Sequence, residues 1–256
     1  MKIPADLIII NYHKIDTDSD IGITTRHPDD FKTDLNLIKE LGFTTINFDQ
    51  LLSNKIPKKP IIITFDDAYE SFYNIAFPLL KTNKMTAVVY VPVYYIGKSN
   101  NWDVQLFNKK YDHMTESQIR EVAEHNIEIG SHSLNHIYLN SLSESCIENE
   151  LRKSKEYLEK CIDKSVISLS YPFGKFNKTV LNVAKKYYQF GVQLLPLSKS
   201  KNRFNNLTLN RINIYRIDSR TAFKHKLEYN SHPILCFKNW LIQQGSWATI
   251  LLKRII

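Results

Sequence analysis

The sequence predicts an α/β fold on parallel strands, either a barrel or a doubly wound sheet. Short β-branched runs alternate with helix-period segments along the chain, the pattern of parallel strands joined by helical crossovers. A length of 256 residues is long for one ordinary domain and normal for a single barrel of strands and helices. Chemically loaded residues also follow several predicted strands directly, and both architectures gather their active groups at strand ends.

Leu7 to Ile10 is the first strand and ends at Asn11-Tyr12-His13. Pro28-Asp29-Asp30 opens a helix with Phe31, Leu35, Ile38 and Leu41 on one face, and Gly42 stops it at a left-handed cap position. Phe43 to Phe48 reads as a strand, and Pro57 and Pro60 bracket the approach to the next, Ile61 to Phe65. Phe72, Ile75, Ala76, Leu79 and Leu80 form a helical face, followed by a strand from Ala87 to Val91. The loop from Pro92 to Met114 holds Trp102-Asp103, several tyrosines and Lys109-Lys110, and a loop of that length in a compact domain points to function. Thr115-Glu116-Ser117-Gln118 is a capping box, Asn126 suits a left-handed helix exit, and Ile127 to Ile129 is the next strand. A longer helix capped near Ser143 turns Ile147, Leu151, Leu158 and Cys161 inward, and Val166 to Leu169 is a strand. Another helix runs to about Gln189 and stops before Gly191.

With 43% hydrophobic and 23% charged residues, the composition is that of a globular protein with a sizeable core. No run approaches the roughly 20 apolar residues of a membrane span, and the N-terminus lacks the pattern of a secretory signal. A cytoplasmic protein is therefore expected. Cys146, Cys161 and Cys236 are odd in number and widely spaced, which argues against a disulfide framework or a cysteine zinc site. Cys146 and Cys161 are expected to pack as small hydrophobes. The net charge of +8 favours an acidic partner, but no recognition motif accompanies it, so no nucleic-acid partner is expected.

The chemistry concentrates in three places. Thr64-Phe65-Asp66-Asp67 ends a buried strand in adjacent carboxylates, which are costly to bury unless something pairs with them or binds them. Alone, that pair reads as an acidic turn. His132 and His136, spaced i and i+4 after another strand, would lie on one side of a helical turn and share a cation. Two histidines and one carboxylate, with positions left for water, is a usual catalytic zinc arrangement. Ser170-Tyr171-Pro172-Phe173-Gly174 falls at a third strand end.

Together and in this order, these three segments resemble the first three motifs of the polysaccharide deacetylase family, the NodB-homology group of carbohydrate esterases. The likeness runs from about Ile8-Ile9-Ile10-Asn11-Tyr12-His13 to about Arg211-Ile212-Asn213-Ile214. It implies a distorted (β/α)7 barrel in a single domain and metal-dependent removal of an N-acetyl group from a sugar. By position, it makes Asp66 the general base and Asp67, His132 and His136 the ligands of one divalent cation, zinc by preference. The backbone N–H of Phe173 falls where the family stabilises the oxyanion. Ser170 stands where many members carry an arginine that orients the base, and Arg211 is the expected substitute. The family's late Leu-x-His motif, which supplies a general acid, has no counterpart. Tyr171 and Trp102 are expected to contact the sugar, and His13 either to line the same pocket or to cap the barrel.

Residues 1–219 are assigned to the barrel and 220–256 to a basic, aromatic extension packed on the barrel or on the inner face of a membrane. The expected substrate is an N-acetylated amino sugar of a bacterial envelope glycan, or its lipid- or nucleotide-linked precursor. A deformylase or other amidase of the same fold, and a catalytically silent barrel that binds glycan or membrane, are the alternatives.

Overall fold

The computed structural model describes residues 3–17, 23–53, 56–100, 110–194 and 205–228. The first half runs β1 (Ile8–Tyr12), β2 (Lys14–Ile15), β3 (Thr25–Arg26), α1 (Pro28–Glu40), β4 (Thr44–Thr45), α2 (Phe48–Leu52), β5 (Pro60–Phe65), α3 (Phe77–Thr82) and β6 (Val88–Val91). The second half adds α4 (Glu116–Glu124), β7 (Glu128–Ser131), α5 (Glu144–Ile162), β8 (Ser168–Ser170), α6 (Lys178–Tyr187), β9 (Phe190–Leu194), β10 (Leu209–Asn213) and α7 (Arg220–Leu227). Among the described residues, β1 and β5 to β10 form a closed ring of parallel strands, because β1 pairs with β10 on one side and β5 on the other. The fold is a distorted (β/α)7 barrel. Part of the distortion is a wedge. β4 pairs with Pro60 and Ile61 at the start of β5, β6 pairs with β5 only at Thr64 and Phe65, and the Thr86 N–H reaches Thr45 Oγ1 at 3.1 Å.

Alternation along the strands separates two cores. Ile8, Ile10, Ile61, Ile63, Phe65, Val89, Ile129 and Leu169 pack against the surrounding helices. Ile9, Ile62, Val88, Tyr90, Phe190, Val192 and Leu209 form the other cluster together with Phe48 and Leu51 of α2. Each such side chain contributes roughly 1.5–3 kcal/mol by leaving water. The Phe48 and Phe190 rings lie 4.9 Å apart, so the short helix α2 belongs to that second core. The same strand faces turn polar toward their C-terminal ends, at Asn11, Thr64, Asp66, Ser170 and Arg211, all buried.

The structure corrects three sequence expectations. Phe43 to Phe48 forms only the two-residue strand β4, because Asn47 and Gln50 make a capping box that starts α2. Cys146 is exposed on α5, whereas Cys161 is buried as expected. Lys226, a basic residue of the extension expected to lie on a surface, is 1% exposed and holds Asp218 at 2.5 Å. Ser219 caps α7, whose Phe223 and Leu227 are buried, and Arg220 pairs with Glu40 of α1. Residues 229–256, with Trp240 and Trp247, lie outside the described residues. No described helix is long and apolar enough to cross a membrane.

Candidate active site

The polar strand ends converge on one carboxylate. Asp66 follows β5, and its N–H donates to Tyr12 O at 3.0 Å, so the register between β1 and β5 sets its height. Arg211, from the middle of β10, meets it in a two-pronged pair: Nη1 to Oδ1 at 2.8 Å and Nη2 to Oδ2 at 2.7 Å. The guanidinium also donates to Asn11 Oδ1 at 2.6 Å, Thr64 Oγ1 at 3.2 Å and Ser170 Oγ at 2.9 Å. Asn11 Nδ2 adds a 3.2 Å bond to Asp66 Oδ2. Ser170, at the position where the family resemblance implies an arginine, is thus a small acceptor beside an arginine that arrives from another strand. The Arg211 guanidinium carbon also lies 5.5 Å from the centre of the Tyr90 ring. Gly130 leaves room for that ring, since a Cβ there would stand 2.4 Å from it.

Burial works against an ionised Asp66, but the charges of Arg211 and His132, the Arg211 hydrogen bonds and the charge of His13 outweigh it. The carboxyl is therefore held well below its ordinary value. His13 is half-buried and belongs to the surroundings of Asp66 through that charge.

Asp67, His132 and His136 make a second cluster, all buried. Asp67 Oδ1 lies 3.6 Å from His132 Nε2 and 3.5 Å from His136 Nε2, and the two imidazole centres are 4.8 Å apart. His132 Nδ1 lies 2.8 Å from the Ser170 carbonyl oxygen. A carbonyl can only accept, so Nδ1 donates to it, and the other ring nitrogen, Nε2, is the atom turned toward Asp67. Burial pushes the His132 imidazole below its ordinary value, against the opposing charge of Asp66. One oxygen and two imidazole nitrogens, oriented this way, fit a zinc-like divalent cation with positions left for water. Among the described residues this is the one His/Cys/Asp/Glu group close enough to hold a metal.

The histidines do not meet on a helical turn. The segment between them is irregular, with Ser133 at φ 63° and His136 at φ 51°. Side chains hold it. Ser131 Oγ accepts from Ser133 N, Ser133 Oγ accepts from His136 N, and the buried Glu150 of α5 accepts from Asn135 N and Nδ2 at 3.0 and 2.5 Å. Asp67 and Ala68 are also left-handed, at φ 72° and 51°. Each such non-glycine residue costs on the order of 1 kcal/mol, so surrounding contacts must fix the turn.

Phe173 occupies a tight turn at φ 60°, and its ring lies 5.1 Å from that of His136. Gly174, at φ +64°, is needed there: a Cβ would come within 2.8 Å of Leu194. Tyr171 corrects the expectation of a sugar contact. It is 0% exposed, its hydroxyl donates to Leu207 O at 2.9 Å, and its ring packs on Phe176, so no face remains for a ligand. Trp102 lies outside the described residues. Sequence reasoning missed Asn11 and Glu150, whose only signal is an uncharged amide at a strand end and an acid on the inward face of a helix.

The profile of the polysaccharide deacetylase family matches residues 53–190. YxkH of Bacillus subtilis is 30% identical over 231 residues, 88% of this chain and 77% of its own. A poly-beta-1,6-N-acetyl-D-glucosamine N-deacetylase of Staphylococcus aureus is 31% identical over 177 residues, 68% of this chain and 59% of the relative. Among solved structures, the Streptococcus pyogenes deacetylase PplD in complex with acetate superposes with a TM-score of 0.73 at 26% identity. That match covers 88% of this chain and 99% of PplD. A Bacillus cereus polysaccharide deacetylase gives a TM-score of 0.74 at 28% identity over 86% of this chain and 68% of its own. With its profile, its relatives and its barrel in agreement, the chain belongs to the polysaccharide deacetylase family of hydrolases.

Proposed function

We propose that the protein removes the N-acetyl group from an amino sugar of a bacterial envelope glycan, or from its lipid- or nucleotide-linked precursor. The observation that carries this reading is the Arg211-held carboxylate of Asp66 next in sequence to the metal-type cluster of Asp67, His132 and His136. The substrate class is supported by the Staphylococcus aureus relative, whose name specifies poly-beta-1,6-N-acetyl-D-glucosamine. Asp67, His132 and His136 would hold one divalent cation, zinc by preference. When bound, such a cation acidifies a water and polarises the amide carbonyl.

The chain's own residues divide the remaining work. Asp66 takes a proton from the water as its oxygen attacks the acetamide carbon. It is ready to do so because its carboxyl stays ionised across the physiological range. The Phe173 N–H donates to the carbonyl oxygen as negative charge develops there. The carbon–nitrogen bond then breaks, the amine leaves with a proton returned from Asp66 or drawn from solvent, and acetate remains. Arg211 fixes the direction of the Asp66 carboxylate, and His13 lines the pocket. We also propose that the protein is cytoplasmic and touches the inner membrane face through 220–256. Recovery in the soluble fraction after a low-salt wash, from full-length and truncated chains alike, would remove the membrane part of that reading.

Zinc-loaded protein is expected to release acetate from β-1,6-linked N-acetylglucosamine oligomers or from lipid- or nucleotide-linked N-acetyl sugars. A chelator should abolish release and zinc restore it. Formate from N-formyl sugars without acetate from any of these would move the assignment to the deformylase alternative.

A further inference from the structure

We propose that His113 is a positioning residue for the metal centre: its imidazole locks the Asp67 main chain so that the Asp67 carboxylate faces His132 and His136. The inference rests on the reading of Asp67 as a metal ligand. His113 lies 46 residues from Asp67 in sequence, is 3% exposed, and its Nδ1 sits 2.6 Å from the Asp67 carbonyl oxygen. Since the carbonyl can only accept, the imidazole donates. The acceptor is the peptide that joins Asp67 to Ala68, the two consecutive left-handed residues after β5. Displacement of that peptide would carry the Asp67 Cα, and with it the carboxylate, away from the histidines.

The bond is part of a seam. Met114 N donates to Ala68 O at 2.9 Å and Glu70 N to Asp112 O at 2.8 Å, so residues 112–114 run antiparallel to 68–70. The seam is braced on both sides. The His113 ring stacks on Tyr69 with centres 4.8 Å apart and an interplanar angle of 26°, and Tyr95 lies 5.5 Å away. The Lys14 ammonium sits 3.9 Å from the centre of the Tyr111 ring and 5.5 Å from that of Tyr69, tying the seam to β2. Asn100 Nδ2 donates to the Tyr69 hydroxyl at 2.8 Å. Within this frame, one side-chain donor reaches the backbone of the residue whose carboxylate must point at the cation. Partners that orient a ligand typically change metal affinity by about 10- to 100-fold.

The test is titration of the full-length apo protein with zinc alone, by chelator competition, across three variants. His113→Phe keeps a stacked ring and loses the donor, and zinc affinity is expected to fall about 10- to 100-fold. His113→Asn retains a side-chain N–H near the position of Nδ1 and should recover most of that loss, which a purely packing role would not do. Asp67→Ala is the control on the underlying reading: unchanged zinc affinity there removes the metal centre itself, whatever His113 does. If Asp67→Ala loses zinc while His113→Phe binds like wild type, the positioning role is overturned. Equal losses in the Phe and Asn variants also overturn it, because the donor then has no part. Should the Phe variant not fold, His113→Leu serves the same comparison under the same criteria.

Discussion

Replacing Asp66 with asparagine lowers kcat for acetate release by roughly 100- to 10,000-fold and leaves zinc affinity near the wild-type value. The side chain keeps its shape but turns one acceptor into a donor facing Arg211, so the zinc titration has to accompany the rate measurement. Both carboxylate oxygens of Asp66 are occupied by Arg211, with Asn11 adding a bond to Oδ2, and none of these partners belongs to the Asp67, His132 and His136 cluster. A neutral amide there cannot take a proton from water at any pH near neutral. Zinc titration and single-turnover acetate release on the same preparation separate the two effects. If Asp66→Asn lost zinc while His132→Ala kept it, the roles assigned to the two aspartates would be exchanged. The expected pattern is the reverse, with His132→Ala losing the cation because its lone pair is removed from the cluster.

The parts of the site that sequence reasoning reached are those written in short contiguous runs. Thr64 to Asp67 carries both its strand and its two carboxylates in one stretch, and a buried apolar run ending in acids is legible without a partner. The histidine pair was legible as a pair but not as a shape. Spacing of i and i+4 suggests a helical turn, yet Ser131, Ser133 and Glu150 hold those residues in an irregular loop by hydrogen bonds that no periodicity encodes. Long-range partners were harder still. Asn11 and Asp66 are 55 residues apart, and Arg211 lies 145 residues from Asp66. Only the barrel's register brings them to one level. Arg211 was reached because Ser170 left a gap in a family pattern, whereas Asn11 had no such gap to point to it.

The fold shows the same division. Alternation of apolar runs with helical faces exposes a parallel α/β architecture, but ring closure depends on β1 pairing with both β5 and β10, a non-local fact. Tyr171 shows the opposite error. An aromatic residue inside a catalytic-looking motif invites a ligand role, but its hydroxyl reaches Leu207 O and its ring is wholly covered. Phe43 to Phe48 misled because β-branched and aromatic residues favour a strand. Asn47 and Gln50 satisfy a helix start instead, and Phe48 serves the second core from α2.

Arg211→Met is expected to destabilise the apo protein by about 3–5 kcal/mol at neutral pH, because it leaves a buried carboxylate without its counter-charge. The Arg211 side chain is 0% exposed and that of Asp66 4%, so the carboxylate has little solvent to replace the lost guanidinium. The sign of the pH dependence follows from the wild-type balance. Burial raises the Asp66 pKa, while Arg211, His132 and His13 together hold it below the ordinary carboxylate value. A depressed native pKa contributes stability that is present above the unfolded value and lost as pH falls through the native one. Without Arg211 the burial effect dominates and the native pKa rises. The stabilising contribution then disappears, and the variant's deficit is largest at neutral pH and shrinks toward pH 5 as Asp66 accepts a proton. The acid limb of kcat/KM must move upward for the same reason, since the base is active only when ionised. Thermal unfolding of wild type and variant at pH 5 and pH 8, with a pH–rate profile of each, measures both effects. Adding Asp66→Asn to Arg211→Met should recover much of the lost stability, because the uncompensated charge is gone. An unmoved acid limb together with simple additivity in the double variant would show that Arg211 packs in the barrel without governing the ionisation of Asp66.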